Sequence, residues 1–145
     1  MTSVRTIAAE QKKLQPKTFG NLYVSIATNP DELDIKLPDE KYIDQPSIKL
    51  CFNYPLSCDV IFEFTAPNNQ FFTRKDISKI VCETYQKIYD EEEKSTQIPV
   101  GNIPNMLNRN KTDGTYGIWG HDIEDLQLNY IYRKSDGIYY MSIDS

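Results

Sequence analysis

The chain has 145 residues, of which 39% are hydrophobic and 26% charged, and its formal net charge is −5. This length suits one domain with a single core, and the sequence has no apolar run of the length that a membrane-spanning helix needs. The acidic balance and the scattered Lys and Arg residues argue against nucleic acid as a partner of the main domain, because phosphate binding needs clustered cations.

The first residues differ in charge from the rest of the chain. Arg5, Lys12, Lys13 and Lys17 outnumber Glu10. We interpret residues 1–17 as a basic arm or a short helix, and residues 18–145 as a single α+β domain. The arm is too polar for the apolar region of a secretory signal, so we expect an intracellular protein.

Two segments follow the arm. Residues 21–27 alternate, with Leu22, Val24 and Ile26 on one face, and this pattern predicts the first strand. Residues 29–46 are acidic and contain prolines, which favours a loop or an irregular edge segment.

The next elements form a predicted hairpin. Residues 47–54 and 59–65 both alternate and are separated by a short turn. Their apolar faces coincide only if the numbers of paired residues sum to an even value, for example Phe52 opposite Val60. Cys51 and Cys58 then point to opposite faces, so we expect all three cysteines of the chain to be free thiols.

A long amphipathic helix should begin at Thr73, whose side chain can form a capping box with Asp76. Apolar residues then recur at helical spacing for three turns, and four acidic residues at 90–93 mark the predicted helix end. Acidic residues oppose the helix dipole there, so we interpret them as a solvated, fraying end. Residues 94–114 have no regular pattern and predict a long loop.

The last two strands form a second predicted hairpin. Leu126, Leu128, Tyr130 and Tyr132 alternate along residues 125–133 and are expected on one face. The dipeptide at 136–137, Asp-Gly, is typical of a two-residue type I′ turn, which would pair Tyr132 with Met141. Together the elements predict an α+β fold with an antiparallel sheet of about five strands packed against one long helix.

Candidate chemistry is concentrated between residues 116 and 125, which hold the single Trp, the single His and three carboxylates. His121 could act as a general base oriented by Asp122 or Glu124, or it could bind a divalent ion together with these two residues and Asp125. The sequence supplies no nucleophile beside His121 and no second His for a metal site, and it predicts neither a cofactor nor a metal. In the structural interpretation, the Trp119 ring closes the end of the core, and we favour this interpretation for Trp119.

The segment from Tyr116 to Asp122, with residues 125–126, 137–139 and 142–145, resembles small proteins of giant DNA viruses and some protists. The resemblance extends over about the second half of the chain and includes residues 72–76 with the helix. Such proteins have no established activity, so the resemblance assigns no catalytic residue, but it implies a viral or protist origin.

From these observations we expect a non-enzymatic module that binds a protein partner or forms a homo-oligomer, in the cytoplasm or in a virion. Tyr116, Trp119 and His121 are its candidate binding residues. The alternative is a small hydrolase or transferase with His121 as base and Asp122 as the orienting group.

Overall fold

The computed structural model describes residues 15–33, 39–98 and 111–145. Most of the predicted basic arm and of the predicted long loop lies outside the described residues. The described strands, numbered in chain order, are β1 (Lys17–Thr18), β2 (Val24–Ser25), β3 (Lys41–Ile43), β4 (Ser47–Phe52), β5 (Val60–Thr65), β6 (Phe72–Thr73), β7 (Gln127–Arg133) and β8 (Tyr139–Asp144). Helix α1 spans Arg74–Ser95, and 3-10 turns span Pro30–Glu32 and Ile123–Asp125.

The main sheet has the strand order β1-β7-β8-β4-β5, and β2 also pairs with β7. This arrangement confirms the predicted α+β class. The prediction of a purely antiparallel sheet is wrong, because β4 and β8 run parallel and pair Leu50 with Tyr139. The two hairpins are connected through α1, and a crossover of this length allows a parallel neighbour where a short turn would not.

The β4–β5 hairpin has the predicted register. Phe52 pairs with Val60, and the same register continues to Ser47 opposite Thr65. Ile48, Leu50 and Phe52 are buried, and Val60, Phe62 and Phe64 pack partly buried against the core. The structure has Cys51, Cys58 and Cys82 as free thiols, as the alternation of this hairpin predicts for the first two.

The register predicted for β7 and β8 is wrong. Tyr132 pairs with Tyr140 instead of Met141, and the pairing shifts by one residue between Leu128 and Tyr130. Of the turn residues only Gly137 has a positive φ, of 83°, whereas a type I′ turn needs two such residues. Because the shift reverses the alternation, Ile131 is buried in the core while Tyr130 and Tyr132 lie on the other face.

Two predictions for residues 21–46 need correction: the predicted first strand is shorter than expected, and the predicted loop contains a strand. Leu22, Val24 and Ile26 share the buried face that the alternation predicts, but only Val24–Ser25 forms a strand there. The predicted loop at 29–46 contains β3, which pairs with β6. Strand β3 is short and follows an acidic segment, so its alternation is too brief to recognise in the sequence.

Helix α1 begins as predicted and ends later than predicted. Thr73 accepts a hydrogen bond from the Asp76 N–H at 3.0 Å, and the Asp76 carboxylate accepts one from the Thr73 N–H at 2.9 Å. The helix continues through the acidic residues to Ser95. Within the described parts of the chain, no helix is both long and apolar enough to cross a bilayer.

The capping box predicts a measurable loss of stability. Thr73→Ala and Thr73→Ser both lose the methyl group of this buried side chain, and only Thr73→Ser keeps the hydroxyl that caps the helix. We expect Thr73→Ala to be about 1 kcal/mol less stable than Thr73→Ser in urea denaturation. Equal stability of the two variants would contradict a capping role for the hydroxyl group.

Candidate functional site

The candidate segment is held by one buried carboxylate. The Glu92 side chain is fully buried and accepts hydrogen bonds from the Thr112 hydroxyl at 2.5 Å and from the N–H groups of Tyr116 at 2.7 Å, Gly114 at 2.9 Å and Gly117 at 3.1 Å. A buried charge is stable only when hydrogen bonds replace its water shell, and this set of donors does so. We call Glu92 with residues 112–118 the carboxylate clasp.

The clasp changes the interpretation of the acidic helix end. Burial of the Glu92 carboxyl group acts to raise its pKa, but the hydrogen bonds from Thr112, Tyr116, Gly114 and Gly117 outweigh burial, and the pKa is lowered. The neighbouring acid Asp90 also has a partner, since its carboxylate forms an ion pair with the Lys94 ammonium group at 2.8 Å. The prediction of a solvated helix end is therefore wrong for Glu92.

Glycine is required where the loop approaches the helix. A Cβ atom on Gly114 would lie 2.5 Å from the Ser95 hydroxyl oxygen and 2.7 Å from the Glu92 carboxylate. These distances are shorter than any tolerated contact, so a side chain at this position would push the loop off the carboxylate. The backbone of Gly114 can donate to Glu92 because no side chain separates them.

The other side of the loop is tied to the β4–β5 connection. The Ser57 hydroxyl donates to the Gly117 carbonyl at 2.6 Å, and the Ser57 N–H donates to the Tyr116 carbonyl at 3.1 Å. The Trp119 N–H donates to the Pro55 carbonyl at 3.0 Å. The segment is therefore fixed on both sides, and it presents Trp119 from a rigid backbone.

Trp119 is 41% exposed, so the expectation that its ring closes the core is wrong. The adjacent Ile118 is fully buried and takes that role. The Trp119 ring stands edge-to-face against Tyr54, with ring centroids 5.5 Å apart and planes at 87°, and the His121 ring lies 6.3 Å away. We call Tyr54, Trp119 and His121 the aromatic surface.

His121 connects this surface to the end of β8. Its Nε2 atom lies 3.1 Å from the Ser145 hydroxyl oxygen, which also lies 2.7 Å from the Tyr54 hydroxyl oxygen. Its Nδ1 atom lies 3.8 Å from the Asp125 carboxylate, which is beyond hydrogen-bond length. The His121 carbonyl accepts a hydrogen bond from the Tyr89 hydroxyl at 2.9 Å, and this contact anchors the backbone to α1.

The other residues that the sequence predicts for the site are not part of the aromatic surface. Tyr116 is buried, and its hydroxyl donates to Glu91 at 2.6 Å, which raises the pKa of Tyr116 to about 12. Asp122 precedes the 3-10 turn, and its N–H donates to Asp125 at 3.2 Å. The residues His121, Asp122, Glu124 and Asp125 do not form a metal-binding cluster, and the described residues contain no other such group of three.

Sequence reasoning missed Tyr54 and Ser145. Ser145 is 91 positions from Tyr54 and 24 from His121, and no short motif joins them. Their proximity follows from the strand order, which places the end of β8 beside the end of β4.

No protein-family model matches the chain, no curated protein matches it significantly, and no solved structure does so either.

The carboxylate clasp predicts a large effect of one substitution. Glu92→Gln places an amide NH₂ group among backbone donors and removes the charge, so we expect a loss of about 3 kcal/mol in the free energy of unfolding. The exposed neighbour provides the control, and Glu93→Gln should stay close to the wild type. A small effect of Glu92→Gln in denaturant titration would contradict the clasp.

The same pair of variants has a pH signature. The pKa of Glu92 is lower in the folded chain than in the unfolded chain, so its stabilisation is complete above the unfolded value of about 4.3 and is lost as the pH falls through the folded value. The stability difference between wild type and Glu92→Gln should therefore shrink as the medium becomes more acidic. A constant difference would mean that the charge of Glu92 does not contribute.

Proposed function

We propose that the chain is a non-enzymatic recognition module that binds a protein partner through the aromatic surface of Tyr54, Trp119 and His121. The observation that carries the proposal is the exposed Trp119 ring on a backbone that is hydrogen-bonded on both sides. Large aromatic rings contribute much contact area at low entropic cost, and a fixed backbone reduces that cost further.

The surroundings of the aromatic surface favour a basic partner. Glu124, Asp125 and Asp144 are exposed, and they lie within four residues of His121 or one residue of Ser145 along the chain. A cationic side chain can contact the faces of Trp and Tyr rings while carboxylates nearby attract it. We therefore infer that the partner presents Lys or Arg in the contact. A place in a virion or in the cytoplasm would suit such a module equally.

Trp119→Ala tests the proposal through stability. Trp119 is partly exposed and its ring contacts the Tyr54 ring edge-to-face, so its removal should cost about 1 kcal/mol. The buried neighbour gives the contrast, because Ile118→Ala should cost about 3 kcal/mol. Thermal denaturation of both variants measures the difference. Equally large losses of stability in both variants would indicate that Trp119 has a structural role.

Partner contact is tested by placing a photo-crosslinking amino acid at position 124 of the full chain in cells, because Glu124 is exposed close to His121 in the sequence and its replacement keeps the Trp119 ring. We expect a discrete crosslinked protein that disappears with Tyr54→Ala or His121→Ala. The matched control is position 23, because Tyr23 is 63% exposed and lies between β1 and β2. Equal crosslinking from positions 124 and 23 would contradict specific recognition.

A hydrolase or transferase is the second candidate, and one contact favours it. The Nε2 atom of His121 lies 3.1 Å from the Ser145 hydroxyl oxygen, which is the spacing between a general base and a nucleophile. Two features oppose this function. The Tyr54 hydroxyl contacts the same oxygen, and Asp125 lies too far from Nδ1 to orient the ring.

The two candidates predict different reactivity of Ser145. In the recognition module the hydroxyl is an ordinary alcohol, so we expect no labelling of Ser145 by a fluorophosphonate probe, as read by mass spectrometry. Stoichiometric labelling that His121→Ala abolishes would establish an activated serine and favour the hydrolase. A denatured sample of the same protein is the control for non-specific reaction.

A further inference from the structure

The two edges of the main sheet differ in a way that bears on association. On one edge, β1 and β2 are strands of two residues each, separated by an irregular segment in which Tyr23 has a positive φ of 53°. On the other edge, β5 is a continuous strand of six residues, and in the described parts of the chain no strand pairs with its outer side. A long, regular edge strand is a template for another strand, whereas a broken edge is not.

The backbone groups that β5 directs outward can be assigned from one hydrogen bond. The Ala66 N–H donates to the Pro46 carbonyl at 2.8 Å, in the register of the β4–β5 pair. Hydrogen-bonded positions alternate along an antiparallel pair, so Phe64 and Phe62 use their N–H and C=O groups toward β4. Ile61, Glu63 and Thr65 therefore direct theirs toward the open edge.

The side chains at this edge are also incompletely covered. Phe62 and Phe64 point to the core face but are only partly buried, although both contact the fully buried Phe52. A groove of about 230 Å³ lies between them and α1, next to Ile88. Its volume is below the range of roughly 300–1,000 Å³ that small-molecule sites occupy, so it suits protein side chains better than a cofactor.

We propose that β5 pairs antiparallel with β5 of a second copy of this chain, around a two-fold axis at Phe62. Opposed residues of an antiparallel pair share a face, so the apolar faces coincide only when the residue numbers sum to an even value. Three registers then remain close to the strand centre. Their two-fold axes pass through Ile61, Phe62 or Glu63.

Charge distinguishes these registers. An axis at Glu63 places the two Glu63 carboxylates opposite each other, and an axis at Ile61 places Glu63 opposite Asp59 of the second copy. Like charges directly opposite destabilise a strand pair. An axis at Phe62 avoids both contacts, because it places Glu63 opposite Ile61, a residue that is 47% exposed in the single chain.

The register centred on Phe62 also satisfies the open edge. Ile61 and the second copy's Glu63 both direct N–H and C=O groups outward, so each such pair exchanges two hydrogen bonds. The two Phe62 rings become neighbours at the axis, and each Phe64 lies opposite Val60 on the core face. The pairing covers the partly exposed Phe62 and Phe64 side chains of both copies, and it does not involve the aromatic surface of Trp119.

The test is sedimentation equilibrium of the full chain over a wide concentration range. One strand pair buries less area than the roughly 1,600 Å² of a standard interface, so we expect a reversible dimer whose average mass rises with concentration. A wild-type chain that stays monomeric throughout would overturn the proposal. Tight binding of an added extended peptide by such a monomer would assign the edge to another protein.

Two substitutions of one exposed residue test the register. Ile61→Glu creates two Glu–Glu pairs across the axis and should weaken dimerisation about tenfold, whereas Ile61→Lys creates two Lys–Glu pairs and should leave it unchanged or tighter. An axis at Ile61 would make both variants weaker, and an axis at Glu63 would make neither variant substantially weaker. Either result overturns the axis at Phe62.

A backbone substitution tests the edge itself. Glu63→Pro removes an N–H that points outward and that β4 does not use, so the monomer should keep its circular dichroism while dimerisation falls at least about tenfold. Glu63→Thr is the matched control, because it removes the charge but keeps the N–H. Trp119→Ala should dimerise like the wild type. Loss of the dimer in that variant would mean that the chain associates through the aromatic surface instead of β5.

Discussion

The position of residues 112–118, and of the aromatic surface that follows them, depends on hydrogen bonds to the buried carboxylate of Glu92. Its oxygens accept hydrogen bonds from the Thr112 hydroxyl group and from the backbone N–H groups of residues 114, 116 and 117, in a segment that has no strand or helix of its own. A carboxylate at the helix end would be unfavourable in isolation because of the helix dipole. Here the loop supplies the positive ends of its peptide dipoles, and the helix continues to Ser95.

The arrangement of the site follows from this clasp. Ile118 enters the core and Trp119 points outward, since neighbouring residues of an extended backbone face opposite ways. The backbone contact of Trp119 with Pro55 then brings the indole ring beside Tyr54. The same helix lies over the core face of the sheet but leaves Phe62 and Phe64 partly exposed at the β5 edge. The two proposed contact surfaces are thus distinct.

The features that the sequence predicts correctly are local ones. The capping box of Thr73 and Asp76 needs residues three positions apart, and the register of β4 and β5 follows from a short turn and strict alternation. The α+β class follows from the same periodicities. For the candidate site, the sequence points to the segment that contains Trp119 and His121, because the single Trp and the single His lie together there with glycines that allow a tight turn. That this segment is a functional site stays a prediction.

Contacts between distant segments depend on the tertiary structure. Whether Glu92 is solvated or buried depends on a loop 20 or more residues away, and its donors are backbone groups that carry no sequence signal. The one-residue shift in β7 places Tyr130 and Tyr132 on the face opposite the core, although their alternation with Leu128 predicts the reverse. The parallel pairing of β8 with β4 brings Ser145 to His121 and Tyr54. Periodicity determines which face of an element is apolar, while only packing in three dimensions decides which elements meet and which polar groups they enclose.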